Sequence, residues 1–325
     1  MAQLHIVGCG AIGSLLAAGA EKHNVNYSRY PRSAVSAGIP GSAVWLDGKT
    51  FSLNGSILPP QSLSANDVLI IPLKVYQLEE ALTQWLPFLN QKPVVVLLHN
   101  GMGGQEIAQS LLGDNYPLLL ATTSHGALKK RTSRNVSQVI FTGSGSITIG
   151  SSQPESIDIV TGLDNLENSK NKLIAACDLL TRVLPPVTIS NDILYALWSK
   201  LAVNAVINPL TALNDVPNRD ICDECYSELR HQICQEFVDV AASCGQRFDL
   251  RAIKNTVLEV ATATGNNFSS MHQDIKYKRQ TEIDAINGYI VTMANKKGIS
   301  ASTNALLVQR VKALSANTRL ITSQR

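Results

Sequence analysis

The stretch Leu4-His5-Ile6-Val7-Gly8-Cys9-Gly10-Ala11-Ile12-Gly13 leaves this chain few folds to choose from. An apolar strand runs into a G-x-G-x-x-G turn, and a helix-like segment from Ser14 to Lys22 follows at once. A lone glycine pattern says little, but strand, glycine turn and helix in direct succession form a dinucleotide fingerprint. Each glycine has its own task. Gly8 allows the tight turn, Gly10 lets backbone amides approach a pyrophosphate, and Gly13 lets the helix pack on the strand. Cys9, Ala11 and Ile12 complete the turn, and the helix start offers unpaired N–H groups and a positive dipole end to phosphate.

The second strand is expected over His23 to Ser28. A site selective for NAD usually ends that strand with a carboxylate on the ribose 2′-hydroxyl. No acidic residue occurs between Glu21 and Asp47; the strand runs into Arg29-Tyr30-Pro31-Arg32 instead. A guanidinium suits a 2′-phosphate through charge-assisted, often bidentate bonds. NADP(H) is the expected cofactor and NADPH its favoured form, with Arg29 as the phosphate contact and Arg32 as the alternative.

With 325 residues the chain has room for about two domains. Its net charge of +3, with basic residues scattered, argues against nucleic acid or a membrane surface as partner. No apolar run approaches the length of a membrane span, and glycines break the first strand too early for a signal peptide. A cytoplasmic enzyme, monomer or homodimer, is the expectation. The six cysteines show no disulfide framework. Cys222-Asp-Glu-Cys225 has a C-x-x-C spacing, but no second pair or histidine cluster completes a metal site, and none is expected.

The first half alternates short apolar runs with helical stretches, as in a parallel, doubly wound sheet of Rossmann type. Val68 to Ile71, Val94 to Leu98 and Leu118 to Thr123 read as strands, with helices near Tyr76 to Leu86 and Gln105 to Leu112. Val139 to Thr142 and Ser146 to Gly150 read as later, antiparallel strands; a helix from Ser169 to Val183 and a strand near Val187 close the domain. From Asn191 the texture changes to helices: Ile193 to Leu213, Cys222 to Cys244, Leu250 to Ala263, Thr281 to Asn295 and Asn304 to Leu314. The expected architecture is α/β, a dinucleotide-binding domain over 1–190 followed by a smaller all-helical domain over 191–325. Their cleft, facing the carboxyl ends of the strands, is the expected active site.

Leu73-Lys74 follows one strand end and His99-Asn100-Gly101-Met102-Gly103-Gly104 another, where ligands sit in open parallel sheets. Asn100 can both donate and accept. His125, ending a further strand, is better read as a packing or capping residue than as an acid.

The second telling constellation is Leu197 to Leu210, apolar almost throughout except for Ser199, Lys200, Asn204 and Asn208. The last three are spaced i, i+4, i+8 and line one narrow helix face. A helix apolar all round is buried, and an ammonium and two amides there cost several kcal/mol unless they find partners. Either they satisfy one another or a ligand supplies the partners; the charged lysine favours the ligand. Pro209 should bend this helix and re-aim Asn208. Glu282 is the candidate counter-charge, in what reads as a first helical turn.

Taken in order, these motifs resemble the ketopantoate reductases (2-dehydropantoate 2-reductases), which make pantoate for pantothenate and coenzyme A synthesis. The resemblance covers nearly the whole chain: the glycine turn, Leu73-Lys74, His99 to Gly103, Lys200 to Thr211, Pro217-Asn218, Ser269 to Asp274 and Thr281 to Gly288. It implies that Lys200 donates the proton to a ketone oxygen and that Asn204, Asn208, Asn218 and Ser270 bind substrate. It implies that Asn100 touches cofactor and substrate, and that Lys74, Gln77, Ala127 and Glu282 lie at or near the cofactor. One departure stands out: the family's basic residue after the second strand falls where this chain has Tyr30.

The chemistry fits independently. Reducing a 2-oxo acid needs hydride at carbon and a proton for the developing alkoxide, and a lysine offers both proton and positive charge. Two other readings share the motifs: a related NADP-dependent dehydrogenase of another small branched 2-oxo or 3-hydroxy acid, and a non-catalytic NADPH-binding regulator.

Overall fold

Runs of four or five apolar residues become strands here because helices cover both faces of the sheet they join. In the computed structural model, the described residues are 2–31, 39–57, 62–131, 137–151 and 163–323. They divide into two units, 1–99 with 104–196 and 100–103 with 197–325. In chain order the first unit holds β1 (Leu4–Val7), α1 (Ala11–Lys22), β2 (Tyr27–Tyr30), β3 (Pro40–Val44), β4 (Thr50–Ser52), β5 (Val68–Ile71) and α2 (Leu78–Trp85). It continues with β6 (Val94–Leu98), α3 (Gly104–Leu112), β7 (Leu118–Thr123), β8 (Gly126–Arg131), β9 (Ser137–Gly143), β10 (Ile147–Gly150), α4 (Leu163–Val183) and β11 (Val187–Ile189).

Seven strands form the main sheet in the order β11-β10-β7-β6-β5-β1-β2. All neighbours are parallel except β10 and β7, which run antiparallel as the sequence predicted for that strand. Every residue of β1, β5 and β6 is buried. The chain leaves β1 for β2 on one side and returns to β5 on the other, so the strand order switches at the carboxyl ends of β1 and β5. That is where an open α/β sheet places its ligand.

A second sheet, β4-β3-β9-β8, was not foreseen. Its strands are polar and glycine-rich, and β9 joins β8 antiparallel but β3 parallel. They are ordered by what they cover: α1 packs on β3, β8 and β9 as well as on α4. Trp45 and Phe141 meet edge-to-face at 4.9 Å in the shared core.

The second strand also differs from expectation. α1 ends at Lys22 as expected, but Asn24 then takes a left-handed conformation (φ 53°) and the Val25 N–H returns to the Ala20 carbonyl, so the chain turns before the strand can begin. β2 then starts at Tyr27 and runs through Tyr30, which places Arg29 inside the strand instead of after it.

The second unit is helical: α5 (Ile193–Asn214, whose first residues belong to the first unit), α6 (Ser227–Ser243), α7 (Leu250–Ala263), α8 (Ser270–Lys276), α9 (Asn287–Lys297) and α10 (Ser302–Ser323). The helix expected from Cys222 starts later, after two 3₁₀ turns at Asn218–Cys222 and Glu224–Tyr226. The one expected from Thr281 starts at Asn287, because the chain bends at Glu282 and 283–286 form turns. The expectation that no apolar run approaches a membrane span is corrected by α5. Among the described residues it alone is long and apolar enough to cross a bilayer, and it is mostly buried within the protein.

Gly13 is where α1 touches β1: a Cβ there would collide with the Gly8 carbonyl and reach Ile6 Cγ2 at 3.4 Å. Gly13→Ala is expected to cost about 1–3 kcal/mol through overpacking. Urea unfolding measures this, and an unchanged midpoint would show that helix and strand are not in contact there.

Candidate functional site

In the first unit, the glycine turn is built for close approach. Gly8 sits at φ 111°, its N–H donates to the Tyr30 carbonyl at 2.8 Å, and a Cβ on it would lie 2.5 Å from Leu73 Cδ2. Gly10 begins α1 in an extended conformation without a side-chain cap, and a Cβ there would meet nothing within 4 Å. No internal packing therefore explains Gly10. The first amides of α1, including those of Ala11 and Ile12, have no intrahelical acceptor, and open space lies before them. These features fit a nucleotide pyrophosphate. Burial pushes the neighbouring Cys9 thiol up, opposed by the positive charges of Arg29 and Lys129.

A crevice at the switch point continues from the turn, lined by Val7, Gly8, Tyr30, Leu73, Gln77 and Trp85 among others. Lys74 caps a 3₁₀ turn at the end of β5, where its N–H donates to Gln77 Oε1 at 3.3 Å. Ala127 lies on β8 opposite Phe141 and packs on the core beneath.

Arg29 does not present the outward fork expected of a 2′-phosphate ligand. It is 7% exposed, and its guanidinium donates to the carbonyls of Pro40 and Leu53. β2 starts and ends later than expected, so Arg29 lies within the strand and its side chain turns into the protein. Arg32 lies outside the described residues. The crevice wall belongs to Tyr30, whose ring meets Trp85 edge-on at 4.6 Å. The Tyr30 hydroxyl lies 2.8 Å from His5 Nδ1, and His5 Nε2 is 3.5 Å from Asp67 Oδ2. Tyr30 and Trp85 escaped the sequence reading as lining residues; the available signal was Tyr30 in place of the family's cation.

In the second unit, α5 carries Lys200, Asn204 and Asn208 at successive helical turns, as their spacing predicted. Asn208 is buried and Asn204 half-buried. Lys200 keeps part of its surface exposed, yet desolvation pulls its pKa down to about 8, against the opposing pull of the Glu282 carboxylate. Glu282 is buried, and its carbonyl accepts the N–H groups of Ala285 and Ile286 at 3.0 and 3.1 Å. It therefore sits in a turn, which corrects the first-helical-turn reading. Residues 100–103 dock on the same turn: Met102 N–H donates to the Ala285 carbonyl at 2.8 Å. A Cβ on Gly101 would lie 2.5 Å from that oxygen, so Asn100 is carried on a loop pressed against the Glu282 segment.

The remaining substrate candidates gather around 264–270. Asn218 Nδ2 donates to Thr264 Oγ1 at 2.9 Å, its backbone N–H donates to the Asn267 carbonyl, and its Oδ1 is buried without a partner. Ser269, not Ser270, caps α8; its hydroxyl accepts from His272 N–H at 3.1 Å and lies 2.7 Å from Thr211 Oγ1. Ser270 is exposed. Thr211 extends the α5 stripe one turn beyond Asn208, a spacing that could have found it. His125 is buried, accepts from Gly145 N–H at 2.9 Å and rests on Phe141, as a packing residue. Among the described residues no group of His, Cys, Asp and Glu is set to hold a metal ion.

Two sequence families match in succession, "Ketopantoate reductase PanE/ApbA" over residues 4–154 and "Ketopantoate reductase PanE/ApbA C terminal" over residues 192–315. The chain is 35% identical to the 2-dehydropantoate 2-reductase of Vibrio cholerae over 315 residues, covering 95% of this chain and 96% of that one. Among solved structures, D-mandelate dehydrogenase with NADH and anilino(oxo)acetate superposes with a TM-score of 0.83 at 22% identity, over 98% of this chain and 99% of that one. A probable 2-dehydropantoate 2-reductase from Bacillus subtilis superposes at 0.71 with 26% identity, over 96% and 99%. With both of its halves matched and a relative aligned nearly end to end, this chain belongs to the ketopantoate reductase family, the oxidoreductases named 2-dehydropantoate 2-reductases.

Proposed function

We propose that this enzyme reduces 2-dehydropantoate to pantoate with NADPH, in the cytoplasm, and that Lys200 supplies the proton. One observation carries the reading: an ammonium on an apolar helix, with two amides on its own face and its pKa brought to about 8. A lysine at its ordinary pKa holds its proton too tightly to be a good acid near neutral pH. At about 8 it remains mostly charged at pH 7 and gives the proton up more readily.

The bound nicotinamide supplies the hydride; everything else falls to the protein. Lys200 donates to the ketone oxygen as negative charge grows on it, and its own charge stabilises that oxygen. Glu282 keeps the amine protonated before the reaction. Asn204 and Asn208 hold the substrate's hydroxyl and carboxylate, with Asn100 beside the turn that carries Glu282. The unpartnered Oδ1 of Asn218 suits a substrate hydroxyl, and the exposed Ser270 hydroxyl suits a carboxylate. NADPH is favoured over NADH because no carboxylate ends β2. Six free thiols agree with a reducing compartment.

Lys200→Ala is expected to lower turnover of 2-dehydropantoate by roughly 100-fold or more while leaving NADPH binding intact. Near-normal turnover in that variant would remove lysine from the chemistry, and no NADPH oxidation by the wild-type protein across a panel of 2-oxo acids would overturn the function itself.

Because the acid must be charged to act, kcat/KM should fall as pH rises through about 8. Glu282 raises the lysine pKa, so Glu282→Gln should move that alkaline limb to lower pH. A limb unmoved by the substitution would separate the two residues.

The cofactor choice is checked by comparing kcat/KM for NADPH and NADH; equal values would remove the preference.

A further inference from the structure

Pro209 lies inside α5 and has no N–H, so the carbonyl of Ala205, four residues earlier, loses its helical donor. Ala205 is completely buried and out of reach of bulk water. A donor nevertheless arrives: Asn287 Nδ2 bonds the Ala205 oxygen at 2.9 Å. A carbonyl only accepts, so the amide nitrogen, not its oxygen, must face it. Asn287 is completely buried too, and its nitrogen also donates to Asn304 Oδ1 at 2.9 Å. Asn304, equally buried, donates to Glu236 Oε2 at 2.7 Å. The Glu236 carboxylate in turn accepts the N–H groups of Thr303 and Asn304, at 2.7 and 2.9 Å, where α10 begins. A polar chain, half-buried at Glu236 and fully buried at Asn287, thus runs from α6 through α10 and α9 to the open acceptor in α5.

The place where this chain ends gives it meaning. Ala205 lies between Asn204 and Asn208 and less than two turns from Lys200. Asn287 follows Glu282 by five residues, at the other end of the turn segment. A single side-chain bond therefore ties the segment bearing the counter-charge to the helix bearing the acid. Asn304 and Glu236 fix the amide in the orientation that makes this bond, since both of its hydrogens are committed.

We propose that Asn287 is a positioning residue for the reductase site: by filling the acceptor that Pro209 leaves open, it clamps the Glu282 turn to α5 and sets the aim of Lys200, Asn204 and Asn208. The proposal rests on the reductase reading above. It has two parts, a bond that replaces a missing helical donor and a catalytic geometry that depends on that bond.

Both parts are measurable on the full-length enzyme. In Asn287→Ala, and in the milder Asn287→Ser, kcat for 2-dehydropantoate should fall by about 10- to 100-fold, the scale of a small misplacement of reacting groups. The Kd for NADPH should change less than about twofold. A residue that merely stabilises the fold would lower Tm and leave the kcat of the folded fraction alone. Pro209→Ala restores an N–H able to reach the Ala205 carbonyl, so in that background the loss of Asn287 should lower Tm less than in the wild type. A kcat within twofold of wild type in folded Asn287→Ala or Asn287→Ser would overturn the positioning role. Equal Tm losses in the two backgrounds would overturn the clamp. If both position-287 variants fail to fold, Asn304→Ala, which keeps the Asn287 amide but removes its outer acceptor and the link to Glu236, is read by the same two criteria. A wild-type protein that reduces no 2-oxo acid would overturn the reductase reading and with it the catalytic part, while the melting cycle still judges the bond alone.

Discussion

An ammonium group on a helix that is apolar on its other faces is stable only if its surroundings return what desolvation takes away. In α5 the carboxylate of Glu282, on a neighbouring turn, offsets part of that cost, and Asn204 and Asn208 share the lysine's face of the helix. Much of the second unit follows from keeping these groups together. The Glu282 turn is pinned by the 100–103 loop on one side and by Asn287 on the other, and Thr211 ties α5 to the cap of α8 through Ser269. Several kcal/mol of desolvation make such a site expensive to hold empty of partners, and the same desolvation lowers the lysine pKa toward the range useful for proton transfer.

The first unit answers a different constraint, the close approach of one backbone segment to another. Two contacts there leave room only for hydrogen: α1 at Gly13 against the carbonyl of Gly8, and the Leu73 side chain, two residues past β5, against Gly8 itself. Side chains there would push these segments apart. The sheet order reverses at the same point, so the glycine turn lies at the switch point of the sheet.

Much of this was legible from local pattern. β5 and β6 are uninterrupted apolar runs and β1 is broken only by His5, and the burial of all three is what such runs require. Lys200, Asn204 and Asn208 announced their common face by spacing alone. The second sheet was not legible, because β3, β4 and β8 owe their order to α1 and to one another, not to their own apolar content. Arg29 was misjudged for a subtler reason. One left-handed residue, Asn24, delays the strand, and the delay decides that its guanidinium is buried. Asn287 carried no signal by itself; its role emerges only when Pro209, far away in sequence, is seen to lack a donor for Ala205.

The Tyr30 side chain has an implication for how this protein can change. Its hydroxyl is bonded from beneath to the buried imidazole of His5, which leans on Asp67, while its ring rests on Trp85. Exchanging Tyr30 alone would strand that imidazole without its companion and leave the indole facing a gap. Tolerance at position 30 is therefore conditional on the residues at 5, 67 and 85, and drift toward another crevice wall has to proceed through coordinated rather than single substitutions.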